Sequence, residues 1–294
     1  MDTNLPSHTP KPGETIGFIL ALVSALSYST EAIVAKLLYA QGLAPLTVLV
    51  WRFSLAALAF WLLARYSLKE NPLRAARGTF IATGLLQAFT VLALFYTFVY
   101  IPAGLAILLF YLYPTFVTIG SALFLQEPIN TNRLIGLALT LAGLIIISGS
   151  PSGNIPTTGL LLALTAALLN AAYVLVSSRS LQAVPVYTLS TWATGISALV
   201  FILMAACSST LPSSLPGPTT GLLLAFLALV PTVIALAALL AAISRIGPAR
   251  TTIVGTLEPL FTALLGYLVL AEQLTVRELI GGTLIILAVL TQRR

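Results

Sequence analysis

From Thr15 onward the chain runs in apolar stretches broken only by short polar or Pro/Gly clusters. Backbone N–H and C=O groups in lipid must be satisfied within the protein, so such stretches can only be helices or strands of a closed barrel. Continuous apolar runs, in place of alternation over about ten residues, select helices. Composition rules out the soluble alternative: of 294 residues 59% are hydrophobic and 7% are charged, against about 25% charged in soluble domains. The net charge of +6 does not form the charged face that nucleic acid would require. A single cysteine, Cys207, and a single histidine, His8, leave no disulfide framework, structural zinc site or serine–histidine relay. No cofactor or metal is expected.

Residues 1–14 are polar, carry three prolines and read as a disordered tail. The run from Thr15 to about Ala40 is too long for a signal-peptide core and reads as a retained first span. Helices are predicted near 16–39, 45–65, 79–99, 102–125, 132–149, 158–180, 186–207, 218–244, 248–270 and 276–291. The third and fourth are separated by Tyr100-Ile101-Pro102 alone, so they form an antiparallel hairpin.

Basic residues orient the spans. With the N-terminus inside, Lys11, Arg65, Lys69, Arg74, Arg77, Arg133, Arg179, Arg245, Arg250, Arg293 and Arg294 fall on the inner side. Arg277 alone falls outside, while Lys36 and Arg52 lie within spans. Eleven, one and two account for all 14. The expectation is ten helices with both termini cytoplasmic.

The sequence also repeats. Tyr113-Pro114 through Gly136 matches Glu258-Pro259 through Gly281 at an offset of 145, sharing Pro114/Pro259, Phe116/Phe261, Leu125/Leu270, Glu127/Glu272 and Leu134-Ile135-Gly136/Leu279-Ile280-Gly281. A weaker match places Leu20-Ala21-Leu22 on Leu162-Ala163-Leu164 at an offset of 142. Residues 15–150 and 151–294 are therefore read as two five-helix units, and an odd number of spans makes them inverted. Inverted repeats are a recurrent transporter design with the site near the midplane; a duplicated bundle serving only as a scaffold is the plain alternative.

Trp51-Arg52-Phe53 at helix 2, Tyr96 through Ala106, the block ending Phe124-Leu125-Gln126-Glu127-Pro128, and Glu258-Pro259-Leu260-Phe261 with Ala271-Glu272-Gln273-Leu274 resemble the drug/metabolite transporter superfamily. The chain is similar to its ten-helix EamA type over nearly all its length, and within it most resembles the bacterial aromatic amino acid exporters. Tyr28-Ser29-Thr30-Glu31 departs from the Trp/Asn turn of many relatives, and helix 7 lacks the arginine of helix 2. The resemblance implies a multi-pass inner-membrane exporter of amino acids and related metabolites. It also implies alternating access through a cavity lined by helices 1, 3, 4, 6, 8 and 9. The expected partners are an amino-acid substrate and the lipid bilayer, with no nucleic acid; a monomer is one reading of the oligomeric state. Nucleobases, sugars or cationic compounds as cargo, an intramembrane enzyme using Glu31 with Glu258, and a scaffold stay open beside it.

Glu258 is the sharpest single candidate, because a charge near the centre of a span costs about 2.5–3.5 kcal/mol on a translocon scale. A hydrogen-bonded structural carboxyl is its bland alternative. Pro114 and Pro259 remove backbone donors and, with Pro231, are candidate hinges or simple accommodations of packing. Helix 1 carries Ser24, Ser27, Tyr28 and Glu31 on one stripe, and helix 6 carries Asn170, Tyr173 and Ser177 on its counterpart. At the 142 offset Tyr28 maps to Asn170 and Glu31 to Tyr173. Gln87, Tyr96 and Tyr113 complete the candidate substrate-binding set of Tyr28, Glu31, Gln87, Tyr96, Tyr113, Asn170, Tyr173 and Glu258, each aromatic being as well suited to packing. Arg52 can snorkel to the headgroups or pair with Glu31, and Lys36 is expected to snorkel. Glu127 and Glu272 are assigned to loop structure.

Overall fold

The computed structural model describes residues 12–67, 77–101, 103–148, 156–211, 216–270 and 276–292. The tail through Lys11, the loop basics Lys69 and Arg74, Glu272 and the C-terminal arginines lie outside the described residues, as do the side chains of Lys36 and Arg77. Every described element is helical, and no strand occurs among the described residues.

The helices are α1 (Pro12–Ala40), α2 (Pro45–Leu62), α3 (Arg77–Tyr100), α4 (Ala103–Phe110), α5 (Tyr113–Phe124), α6 (Thr131–Ser148), α7 (Thr157–Ser180), α8 (Val186–Cys207), α9 (Pro218–Ala228), α10 (Ala235–Ile246), α11 (Pro248–Gly255), α12 (Glu258–Leu270) and α13 (Val276–Thr291). A π turn, Leu63–Ser67, extends α2, and a second, Leu229–Ile234, joins α9 to α10. The tracts Gly13–Ala40, Pro45–Tyr66, Thr157–Ser180, Val186–Cys207 and Pro218–Ile246 are long and apolar enough to cross a membrane. Shorter apolar helices run through Thr79–Leu94, Tyr113–Phe124, Thr131–Ile147 and Leu279–Thr291. The chain is an all-α integral membrane protein.

Packing carries the repeat into three dimensions. Exchanging the first five sequence-predicted spans with the second five maps each main contact onto another or onto itself. Thus α2 packs on α8 and α6 on α13, while α3 against α7 corresponds to α10 against α1. Likewise α4 and α5 both touch α7, as α11 and α12 both touch α1. At the α6–α13 crossing the backbones meet: a Cβ on Gly143 would stand 2.6 Å from the Gly281 carbonyl oxygen. Small residues permit that approach where lipid supplies no hydrophobic drive between helices.

Two tracts predicted as continuous, 102–125 and 248–270, are interrupted. α4 ends at Phe110 and α5 begins at Tyr113; α11 ends at Gly255 and α12 begins at Glu258. Each half-helix before the break has eight residues. The bonds across the two breaks match at the 145 offset. Leu112 N–H donates to Leu109 at 3.2 Å and Phe116 N–H to Leu112 at 3.3 Å. In the second repeat Leu257 N–H donates to Val254 at 3.1 Å and Phe261 N–H to Leu257 at 3.0 Å. The cause is local. Pro114 and Pro259, each second in its new helix, carry no N–H, so the Phe110 and Gly255 carbonyls lose their usual donors. The chain tightens to three-residue bonds and restarts.

Candidate functional site

The restarts place Tyr113 and Glu258 at equivalent positions, the first residue of α5 and of α12. α11 packs against α5, and a Cβ on Gly255 would lie 3.4 Å from the Tyr113 hydroxyl, so the two breaks adjoin. Around them gathers a cluster of tyrosines. The rings of Tyr111 and Tyr113 are 5.8 Å apart, and Phe110 lies 5.3 Å from Tyr113 and 5.8 Å from Tyr111. Tyr111 and Tyr113 both stand within electrostatic range of Glu258. Tyr28 of α1 stands within electrostatic range of Tyr173, Arg52, Glu31 and Glu258. Tyr111, Tyr113 and Tyr173 are buried, whereas Tyr28 and Glu258 are half-buried.

One step from Glu258 lies an ion pair. Arg52 of α2 donates from both terminal nitrogens to the two Glu31 carboxylate oxygens, one bond being 2.8 Å. Its Nε donates to Thr232 Oγ1 at 2.8 Å and its Nη2 to the Pro231 carbonyl at 3.3 Å. Arg52 also sits 5.3 Å from the Phe53 ring centroid. One guanidinium therefore ties α1, α2 and the π turn of α9–α10 together. The π turn exists because Pro231 cannot donate within the ladder. Thr232 Oγ1 in turn donates to the Leu227 carbonyl at 2.9 Å. Of the two readings open for Arg52, the structure contains the pair.

Tyr28, Glu31, Tyr113, Tyr173 and Glu258 thus form one neighbourhood. Asn170 is half-buried one turn before Tyr173 on α7. Gln87 engages a different contact: Ser197 of α8 approaches its Oε1 at 3.5 Å while donating to the Gly84 carbonyl at 3.2 Å. Tyr96 is half-exposed on α3 and lies outside the ring contacts that join Phe110, Tyr111 and Tyr113. The Tyr173 and Ser177 hydroxyls, one turn apart, are buried without a partner at full hydrogen-bonding geometry among the described residues. Pro114 and Pro259 stand at the breaks and Pro231 in the π turn. Tyr111 and Thr232 were not selected from the sequence. The available signal for Tyr111 was its repeat position, because it precedes Tyr113 as Thr256 precedes Glu258.

A second polar layer lies at the far end of α1. Glu14 pairs with Arg250 of α11, and Glu127 pairs with Arg133 at 3.1 Å. A Cβ on Gly247 (φ 80°) would meet Glu127 Oε1 at 2.7 Å, so the extended arm before α11 rests on that loop. Gln292 donates to the Asn132 carbonyl at 3.1 Å. At the opposite end Thr220 donates to Gln41 at 2.6 Å and Thr47 to the Thr210 carbonyl at 3.2 Å.

Comparison with known proteins gives concordant results. The EamA-like transporter family matches residues 15–149 and again residues 157–292. The "Uncharacterized transporter YdfC" of Bacillus subtilis (strain 168) is 27% identical over 193 residues, which cover 62% of this chain and 60% of that protein. A protein of known crystal structure shares the fold with a TM-score of 0.79 at 19% identity, over 94% of this chain and 96% of the other.

Proposed function

The chain belongs to the EamA-like transporter family, and from that membership we propose that it exports amino acids, aromatic ones preferred, across a bacterial inner membrane. It is a multi-pass membrane protein of a transporter family. The proposal adds ten spans in two inverted five-helix units, residues 15–150 and 151–294, with both termini cytoplasmic. Arg133 and Arg250, at the end of the bundle where α1 begins, support that orientation, because basic residues favour the cytoplasmic side.

The single observation that carries the reading is the pair of adjoining helix breaks with Glu258 at one and the tyrosine cluster around it. Interrupted helices meeting at a repeat interface are where secondary carriers place their sites. Aromatic walls suit a planar apolar side chain. The prolines behind each break let the halves rock about fixed points, giving alternating access without a motor domain. Tyr28, Glu31, Tyr113, Tyr173 and Glu258 form the proposed binding group, with Asn170, Gln87 and Tyr96 as outer lining.

The test is flux of labelled phenylalanine, tyrosine, tryptophan and threonine in proteoliposomes containing the full-length chain, with Glu258→Gln measured across pH. Glu31, Arg52, Tyr28, Tyr111 and Tyr113 are the ionisable groups around that carboxyl. Carrier-dependent flux of the aromatic amino acids that falls in the Gln variant supports the reading. No flux of any of the four overturns it, and unchanged flux across pH in Glu258→Gln removes that residue's role.

A further inference from the structure

The charges among the described side chains within the bundle core are unequal in sign and in availability. Arg52 is buried, and its guanidinium is committed to both oxygens of Glu31, to Thr232 Oγ1 and to the Pro231 carbonyl. Its charge is cancelled by Glu31 in a forked pair, the geometry in which Arg binds a carboxylate most strongly. Four of its five N–H donors are thus engaged, leaving a single Nη1 hydrogen and no second fork for another carboxylate. Glu258 is different. It is half-buried, lies within electrostatic range of Tyr111, and has no cationic side chain bonded to it among the described residues. Tyr28 and Tyr113 stand beside it. The described site therefore presents one carboxyl without a bonded cation, among aromatic rings.

That combination recognises a cation. A carboxylate supplies Coulomb attraction in a medium that screens poorly, and tyrosine faces add cation–π attraction. An incoming anion would meet Glu258 and Glu31 and find the Arg52 fork already occupied. We propose that Glu258, with Tyr28, Tyr111 and Tyr113, receives the protonated amine of the cargo, so that a primary ammonium is required and a free carboxylate is not. This rests on the transport reading for its site and sharpens it: the specificity-determining group of the substrate is its amine.

The test is a binding panel on the purified full-length chain, read by intrinsic tryptophan fluorescence. The probes are L-phenylalanine, phenethylamine (amine without carboxylate), 3-phenylpropionate (carboxylate without amine) and N-acetyl-L-phenylalanine (amine blocked). Loss of a charge-assisted contact weakens binding at least about tenfold. Phenylalanine and phenethylamine are therefore expected to bind that much more tightly than the other two. Glu258→Gln, and Glu258→Asp as a second variant, should weaken phenethylamine binding by a similar factor in the first and less in the second. Binding of 3-phenylpropionate or N-acetyl-L-phenylalanine as tight as that of phenylalanine overturns the proposal using the wild-type chain alone. Unchanged phenethylamine binding in Glu258→Gln also overturns it. Proteoliposome flux separates the two ideas. Phenylalanine and its N-acetyl derivative carried equally would defeat the ammonium requirement and leave amino-acid export standing. Phenethylamine bound through Glu258 without phenylalanine flux would do the reverse.

Discussion

Replacing Arg52 by Met tests whether the ion pair holds the bundle together. The substitution keeps an apolar stem of similar reach and removes the fork to Glu31, the bond to Thr232 Oγ1 and the contact with the Pro231 carbonyl. Breaking a buried pair by deleting one partner costs about 3–5 kcal/mol, because the remaining charge is left uncompensated. The Glu31 side chain keeps 32% of its exposure, whereas Arg52 keeps 6%. The orphaned Glu31 therefore recovers some hydration, and the lower bound applies: about 3 kcal/mol, or about a hundredfold in the folding equilibrium. The converse variant, Glu31→Gln, strands the more deeply buried partner and should cost more. The double variant should recover part of the sum, with a coupling of about 1–3 kcal/mol. Reversible unfolding by titration with SDS in mixed micelles, followed by helicity, measures all three. Additive single costs, or an Arg52→Met loss larger than that of Glu31→Gln, would refute the reasoning.

The α6–α13 crossing should be intolerant of added bulk. Gly143→Val places a Cβ against the Gly281 carbonyl, which cannot yield without separating the helices, and a loss of about 1–3 kcal/mol or more is expected in the same unfolding assay. Gly195→Ala on α8 meets nothing within 4 Å and should be neutral or stabilising by up to about 1 kcal/mol; equal effects at both glycines would dismiss the close crossing. The Glu14–Arg250 pair keeps side-chain exposures of 30% and 25%, so Arg250→Ala should cost no more than about 1 kcal/mol and less still at high salt.

The apolar runs made the helices legible before any coordinate was known, because lipid leaves the backbone almost no other solution. The Arg52–Glu31 pair was legible for a related reason: two opposite charges on neighbouring spans each need a partner. What the one-dimensional pattern left open was the consequence of the prolines. Pro114 and Pro259 are compatible with a bent continuous helix or with a break and restart, and local sequence does not choose between them. Packing does, since α5 meets α11 where the two breaks adjoin. Pro231 was read as a hinge or as ordinary curvature. A π turn with the Arg52 donors on its carbonyl and threonine is a tertiary outcome, because the guanidinium that binds it comes from α2. Tyr111 is hidden by company: in a stretch crowded with aromatic residues only its repeat position, matching Thr256 beside Glu258, sets it apart. Gln87 carries a second use that sequence alone does not show, since Ser197 of the neighbouring α8 approaches its Oε1.

The duplicated scaffold and the chemistry placed on it obey different symmetries, and electrostatics explains why. The breaks at Pro114 and Pro259 and the helix pairings repeat across the halves, yet each core charge has an uncharged mate. Glu258 corresponds to Tyr113 at the 145 offset and Glu31 to Tyr173 at the 142 offset, while α8, the mate of α2, has no counterpart to Arg52. The two breaks adjoin, so a carboxylate at both first positions would set two like charges together with little solvent between them. Such a pair cannot stay fully ionised. Tyrosine at the mate position removes the repulsion and keeps a hydroxyl and a polarised ring face for a ligand. One carboxyl opposite one tyrosine leaves the symmetric pair of breaks a single acidic group instead of two that repel.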